Sequence, residues 1–122
     1  MQKMTIAEAI ELVDKFKPNS RSDEEKIAWL NDIDTIIKQE IIDTHEGKED
    51  YPFTGYNNNT PANTELLLPR QFGKEIYRYY IELQIDIINK ETNRFNNAAA
   101  LFQSAMQEFE FYWHKRHMPL SF

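Results

Sequence analysis

The 122-residue sequence predicts an all-α protein, a four-helix bundle-like domain in which a long irregular loop separates two N-terminal helices from two long C-terminal helices. Apolar residues recur every three or four positions over most of the chain, which is the spacing of one helix face. From Arg70 to Met118 the chain contains one glycine, Gly73, and no proline. Eleven of the sixteen aromatic residues lie from Phe72 onward, so the C-terminal half carries most of the large apolar area.

The first two helices each begin with a capping box, in which an N-cap hydroxyl and a glutamate three residues later bond each other's backbone N–H groups. Thr5 and Glu8 open a helix over about 5–17, which ends before Pro18 because proline disfavours helical conformation in the preceding residue. Ser22 and Glu25 open a second helix over about 23–44. Its apolar face comprises Ile27, Leu30, Ile33, Ile37 and Ile41, and the charged residues expected to face water are Asp32, Asp34, Lys38 and Asp43.

The apolar periodicity stops over residues 46–68, where glycine, proline and asparagine predict turns and an irregular loop. Tyr51, Phe53 and Tyr56 distinguish this loop from a flexible linker, which is poor in aromatic residues. Two interpretations follow. The three rings either fold back onto the helices or remain exposed and contact a partner protein. We favour the first alternative because exposed aromatic rings are unfavourable in water.

A third helix is predicted over about 70–89 and a fourth over about 92–115. The apolar stripe lapses between Asn89 and Arg94, so the two segments form either a hairpin or one bent helix. One straight helix of about 45 residues would be ~67 Å long, which is too long for a compact monomer, and we therefore favour a break.

Composition and charge exclude several classes of function. The net charge is −6, and all of it falls in residues 1–50, which hold 13 acidic and 7 basic side chains. This argues against sequence-specific nucleic-acid binding, which needs clustered lysine and arginine. There is no cysteine, and no apolar run is longer than five residues, so neither a thiolate site nor a membrane span is expected.

The sequence predicts no catalytic residues, no cofactor and no metal. His114 and His117 have a spacing that can serve a metal ion, but the intervening Lys115 and Arg116 oppose a cation and a third ligand is missing nearby. The three glycines are scattered, which excludes phosphate-binding glycine-rich loops.

Protein–protein contact is the function that this pattern favours. Asn96 and Asn97 are poor helix formers, so their amides either find partners across a bend or a subunit contact, or lie in the first turns of a helix. The third helix carries three tyrosines, Tyr77, Tyr79 and Tyr80, that point in too many directions to lie on one buried face. A helix with apolar side chains on several sides is usually buried on more than one side, which favours oligomerisation. The candidate contact residues are Tyr51, Phe53, Tyr56, Tyr77, Tyr79, Asn96, Asn97, Phe111 and Trp113.

Several stretches resemble a family of small helical proteins of tailed bacteriophages and prophages of Gram-positive bacteria. They are residues 5–10 (TIAEAI), 17–30 (KPN and SDEEKIAWL), 40–45 (EIIDTH), 82–86 (ELQID), 94–97 (RFNN), 101–103 (LFQ) and 117–119 (HMP). The resemblance implies a head–tail connector, or head-completion adaptor, that forms a ring beneath the portal through which DNA passes. It implies as partners further copies of the chain, the portal and tail-side proteins, and as locations the virion and the host cytoplasm during assembly. The alternative is a small helical binding or regulatory module that uses loop 46–64.

Overall fold

The computed structural model describes residues 2–120, and most of these are helical. The elements, in chain order, are β1 (Lys3–Thr5), α1 (Ile6–Phe16), α2 (Asp23–Ile37), a π-helical turn (Lys38–Ile42), a 3-10 turn (Lys48–Asp50), β2 (Glu65–Pro69), α3 (Arg70–Asn89) and α4 (Thr92–Arg116). The prediction of a mostly helical chain is confirmed, but a small antiparallel strand pair is also present.

Both predicted capping boxes are confirmed. The Thr5 hydroxyl accepts the N–H of Glu8 at 3.1 Å, while the Glu8 carboxylate accepts the N–H of Thr5 at 3.0 Å. Ser22 and Glu25 form the same reciprocal pair at the start of α2. Each box satisfies N–H groups that the first turn of a helix leaves without partners.

The strand pair is an addition to the broadly all-α fold, and it corrects the predicted irregular loop 46–68, whose last four residues belong to β2. β1 and β2 run antiparallel, with Lys3 opposite Pro69 and Thr5 opposite Glu65. Leu66, Leu67 and Leu68 are all buried, so this strand lacks the alternation that marks a strand with one wet face. Periodicity therefore could not identify it.

The helices α3 and α4 form a hairpin, which settles the alternative between a hairpin and one bent helix. Lys90 ends α3 in the left-handed conformation, with φ 56° and ψ 39°. Aromatic pairs hold the two helices together: the ring centroids of Tyr80 and Phe102 are 5.5 Å apart, as are those of Phe72 and Phe109.

The core lies between this hairpin, α1, α2 and the strand pair. Its largest fully buried side chains include Trp113, Tyr77 and Phe109. None of the helices within residues 2–120 is long and apolar enough to span a bilayer.

Candidate interaction surface

The outer face of α4 is an exposed helix surface without charge over most of its length. We define it by eight residues that recur at helical spacing and are all exposed: Asn93, Asn96, Asn97, Ala100, Gln103, Ser104, Gln107 and Phe111. Residues 95–107 contain no charged side chain, in a chain that is 28% charged. Solvent-facing helix surfaces are normally rich in charge, so an uncharged one is suited to packing against another protein.

The opposite side of α4 explains why this face points outward. Ala98, Ala105, Phe109 and Trp113 are buried against the rest of the protein. The Trp113 ring packs edge-on against Tyr51, with centroids 4.7 Å apart. Because the buried side is fixed by these contacts, the helix must present its asparagines, glutamines and small residues to solvent.

Phe111 is the apolar projection of the outer face. Its side chain is 64% exposed, and the Lys115 ammonium lies 4.5 Å from the centroid of its ring. A large aromatic side chain left mostly in water is unfavourable in an isolated protein, and aromatic anchors of this kind are enriched at protein interfaces.

A second surface feature, the α1–α3–α4 hollow, lies beside the first half of α4. Its cavity volume is about 350 Å³, and its walls include Phe16, Arg78, Tyr79, Asn97 and Leu101. The Arg78 guanidinium carbon lies 3.9 Å from the centroid of the Phe16 ring and 4.9 Å from that of Tyr79. The hollow thus combines apolar and charged side chains, and the Arg78 guanidinium is stacked on two of its aromatic rings.

The charges of the hollow are balanced, because each of its three cations is paired with a carboxylate. Lys17 Nζ lies 2.6 Å from the Asp86 carboxylate, and Arg78 is paired with Glu82. The remaining cation is Arg94, whose side chain is 72% exposed and pairs with Glu91 at 3.1 Å.

The structure brings some of the predicted contact residues together and buries others. Asn96, Asn97 and Phe111 share the outer face of α4, and Tyr79 lies half-buried in the wall of the hollow. Tyr77 and Trp113 are 0% and 1% exposed, so the prediction that they lie at a contact surface is wrong. The burial of Tyr77 also shows that a tyrosine of α3 can be buried within a single chain, without a contact between copies.

The aromatic residues of the loop fold back, as the favoured interpretation predicted. Tyr51, Phe53 and Tyr56 are half-buried and pack against the core, and the rings of Phe53 and Tyr56 contact each other edge-on at 5.1 Å. These rings therefore contribute to the fold of this chain.

A buried carboxylate fixes this loop to the helices. Asp34 is 0% exposed, which corrects the prediction that it faces water. Its Oδ1 accepts the Tyr77 hydroxyl at 2.7 Å, and its Oδ2 accepts the Tyr56 hydroxyl at 2.6 Å and the Leu67 N–H at 3.2 Å. Burial raises the pKa of Asp34 to about 6, although these hydrogen bonds oppose the shift. Burial, together with the Asp34 carboxylate, raises the pKa of both Tyr56 and Tyr77.

A groove beside the end of α4 contains two histidines. His45 Nε2 lies 3.3 Å from His114 Nδ1, while His117 stacks on Trp113 with ring centroids 3.6 Å apart. Within residues 2–120, no three potential ligands lie close enough together to hold a metal ion.

Sequence reasoning missed Phe16, Arg78 and Leu101 as surface residues. Phe16 lies at the end of α1 and is 52% exposed. Leu101 is 43% exposed. One signal is available for Leu101, because it lies in the middle of the uncharged segment 95–107 and off the stripe of Ala98, Phe102, Ala105 and Phe109.

Comparisons with protein-family models, with curated proteins and with solved structures gave no match for this chain. The function therefore has to be argued from its surfaces.

Proposed function

We propose that this chain is a non-enzymatic structural protein of a tailed phage or prophage, a head–tail connector that oligomerises beneath the portal during virion assembly. Its partners in this proposal are further copies of itself, the portal and tail-side proteins. The resemblance of the sequence to connector-like phage proteins suggests this role. The outer face of α4, uncharged over residues 95–107 and carrying the exposed Phe111, is the observation that carries it.

The size and chemistry of this face suit contact between copies. Residues 93–111 extend about 27 Å along the helix axis at 1.5 Å per residue. Ala100 and Ser104 are small, so a neighbouring backbone can approach closely, and the asparagine and glutamine amides can both donate and accept hydrogen bonds. Two copies that each carry a charge of −6 repel one another, and that repulsion is weakest where neither copy presents charge.

The charge of the chain also agrees with a channel that DNA passes through. Binding to a phosphate backbone is driven by release of counterions when lysine and arginine neutralise phosphates. A ring built from a protein with net charge −6 gains little from that process, so DNA can pass without adhering. The alternative, a binding module that uses loop 46–64, has less support because Tyr51, Phe53 and Tyr56 pack inward.

The proposal can be tested by mixing the purified chain with the portal assembly of the same phage genome. Native mass spectrometry and negative-stain imaging should show several copies of the chain added to each portal. Ala100→Glu, which places a charge in the middle of the outer face, should abolish this addition. Ala7→Glu is the matched control, because Ala7 is also an exposed alanine on a helix, α1, and this variant should assemble normally.

A wild-type chain that keeps the mass of one copy beside an intact portal would contradict the proposed function. Equal assembly by Ala100→Glu and Ala7→Glu would show instead that the outer face of α4 is not the contact surface.

A further inference from the structure

We propose that His45 and His114 bind a divalent transition-metal ion of the zinc type, with water in the remaining coordination positions of the ion. The two histidines are 69 residues apart in the sequence and come together only in the folded protein, so no local motif predicts the site. This inference does not depend on the proposed function.

The two imidazole nitrogens are separated by the distance that a zinc ion requires. His45 Nε2 lies 3.3 Å from His114 Nδ1, and the two rings are nearly perpendicular, with an interplanar angle of 87°. Zinc binds histidine nitrogen at about 2.0–2.1 Å in tetrahedral geometry, which places two such nitrogens about 3.3–3.4 Å apart. The ion can therefore replace the single hydrogen between the rings without a movement of the backbone. His114 is exposed, so its ring can turn to direct its lone pair at the ion.

His45 is in the tautomer that a metal ligand needs. Its Nδ1 lies 2.7 Å from the Ile41 carbonyl oxygen, and a carbonyl oxygen can only accept, so Nδ1 carries the hydrogen. In the neutral ring this leaves Nε2, the atom beside His114, with a free lone pair. Histidines that bind metals usually donate their other ring N–H to a carbonyl or carboxylate group, which fixes the orientation of the ring. The Ile41 carbonyl serves this purpose for His45.

The backbone on both sides of His45 is fixed to the segment that follows α4. The Glu46 N–H donates to the Met118 carbonyl at 2.8 Å. The Leu120 N–H donates to the Thr44 carbonyl at the same distance. The second histidine lies on α4 itself, so both ligands are held by ordered backbone and little conformational freedom is lost when an ion binds.

The groove around the pair favours a cation. Its volume is about 380 Å³, and among residues 2–120 the charged side chains that line it are Glu40 and Glu110. The Lys115 ammonium lies at the rim, 4.5 Å from the centroid of the Phe111 ring, and the two carboxylates outnumber it. Arg116 holds its charge against an aromatic ring outside the groove, 4.0 Å from the centroid. The excess of negative charge raises the local concentration of cations.

Two protein ligands make this an open site for one class of metal ion. Within residues 2–120 no third histidine or carboxylate lies close enough to complete the coordination, so water must do so. Imidazole nitrogen suits zinc, copper and nickel, whereas magnesium and calcium prefer oxygen ligands. The pair should therefore bind zinc and should not bind magnesium.

Isothermal titration calorimetry of the whole chain with zinc chloride, at pH 7.5 in a buffer that does not bind metals, should show one ion bound per chain. Magnesium chloride should give no binding under the same conditions. In NMR spectra of the histidine rings, zinc should move the signals of His45 Nε2 and His114 Nδ1 and leave those of His117 in place.

Matched variants test each ligand. His45→Asn keeps an N–H that can donate to the Ile41 carbonyl but removes Nε2, and His114→Gln removes Nδ1 at an exposed position. Each should lower the affinity for zinc at least tenfold, since loss of an outer-shell partner alone typically costs about 10–100-fold. His117→Gln is the control, because His117 stacks on Trp113 with centroids 3.6 Å apart, and this variant should bind zinc like the wild type. Circular dichroism without metal should show equal helix content in all three variants.

Three results would overturn the inference: no zinc binding by the wild type, an affinity that either His45→Asn or His114→Gln leaves unchanged, or an equal loss in His117→Gln and His114→Gln. A chain that binds zinc at this pair but never joins the portal would contradict the connector role alone. A chain that joins the portal but does not bind zinc would contradict the metal site alone.

Discussion

Asp34→Asn should remove a pH dependence of stability that arises from one buried carboxylate. Asp34 lies among Tyr56, Tyr77 and the Leu67 N–H, and among residues 2–120 no cation lies within hydrogen-bond distance of its carboxylate. Asparagine has the same shape and keeps one accepting oxygen. Its amide can donate to the Tyr77 hydroxyl, whose own hydrogen can rotate away, while the remaining oxygen accepts the Tyr56 hydroxyl and the Leu67 N–H.

The expected magnitude follows from the difference in pKa between the unfolded and folded chain. The carboxyl has a pKa of 3.8 when unperturbed and about 6 in the folded protein. Each pKa unit corresponds to about 1.36 kcal/mol, so ionised Asp34 lowers the free energy of unfolding by about 3 kcal/mol at neutral pH. Because the folded pKa is raised, protonation of Asp34 increases the free energy of unfolding. This contribution of the protonated carboxyl is fully present below pH 3.8 and is lost as the pH rises through 6. From pH 7 to pH 4, the wild type should gain roughly 2 kcal/mol relative to the variant.

Urea unfolding at pH 4, 5, 6 and 7, followed by tryptophan fluorescence, measures this difference. Trp113 is fully buried and reports loss of the core. The comparison with Asp34→Asn is essential because other groups titrate in the same range. Arg70, for example, holds the pKa of Glu8 below its usual value, an effect that lowers stability on acidification in both proteins.

Two free energies of unfolding that differ by a constant amount from pH 4 to pH 7 would refute this reasoning. A constant difference would mean that the Asp34 carboxylate is as well solvated in the folded protein as in the unfolded chain.

Substitutions at three further positions test single features of the fold, each by urea unfolding at pH 7. Gly73→Ala should destabilise the protein by about 1–3 kcal/mol, because the new Cβ would lie 2.7 Å from the Tyr77 ring. This overpacking exceeds the gain of up to ~1 kcal/mol in helix propensity. A stabilised variant would show that the ring can move aside. Lys90→Gly should stabilise by ~1 kcal/mol, because glycine adopts the left-handed conformation at the end of α3 without a steric penalty, and a loss of stability would contradict this. Ser22→Ala should cost about 1 kcal/mol by removing the cap of α2, whereas Ser22→Asp should retain most of the stability; equal losses in both would assign the effect to something other than the cap.

The residues of the outer face of α4 could be predicted only in part from the sequence. Asn96 and Asn97 were identified because two poor helix formers in a helical segment need an explanation, and the structure places them on the exposed side of the second turn of α4. The sequence predicts a contact role for both Phe111 and Trp113, but only Phe111 is exposed. Two positions separate them, which is about 200° around a helix, so tertiary packing had to decide which one faces the core.

The sequence by itself determined the helices and their starting points, because capping boxes, prolines and the three-to-four spacing of apolar residues act over a few neighbouring positions. Tertiary structure decided the strand pair and the burial of Asp34, since both depend on partners far along the chain. β2 pairs with β1 some sixty residues earlier, and Asp34 is buried only because Tyr56, Leu67 and Tyr77 close over it. A local sequence pattern contains no information about such distant partners. Asp34 is therefore predicted to face water, although in the folded protein it is a buried polar group in the core.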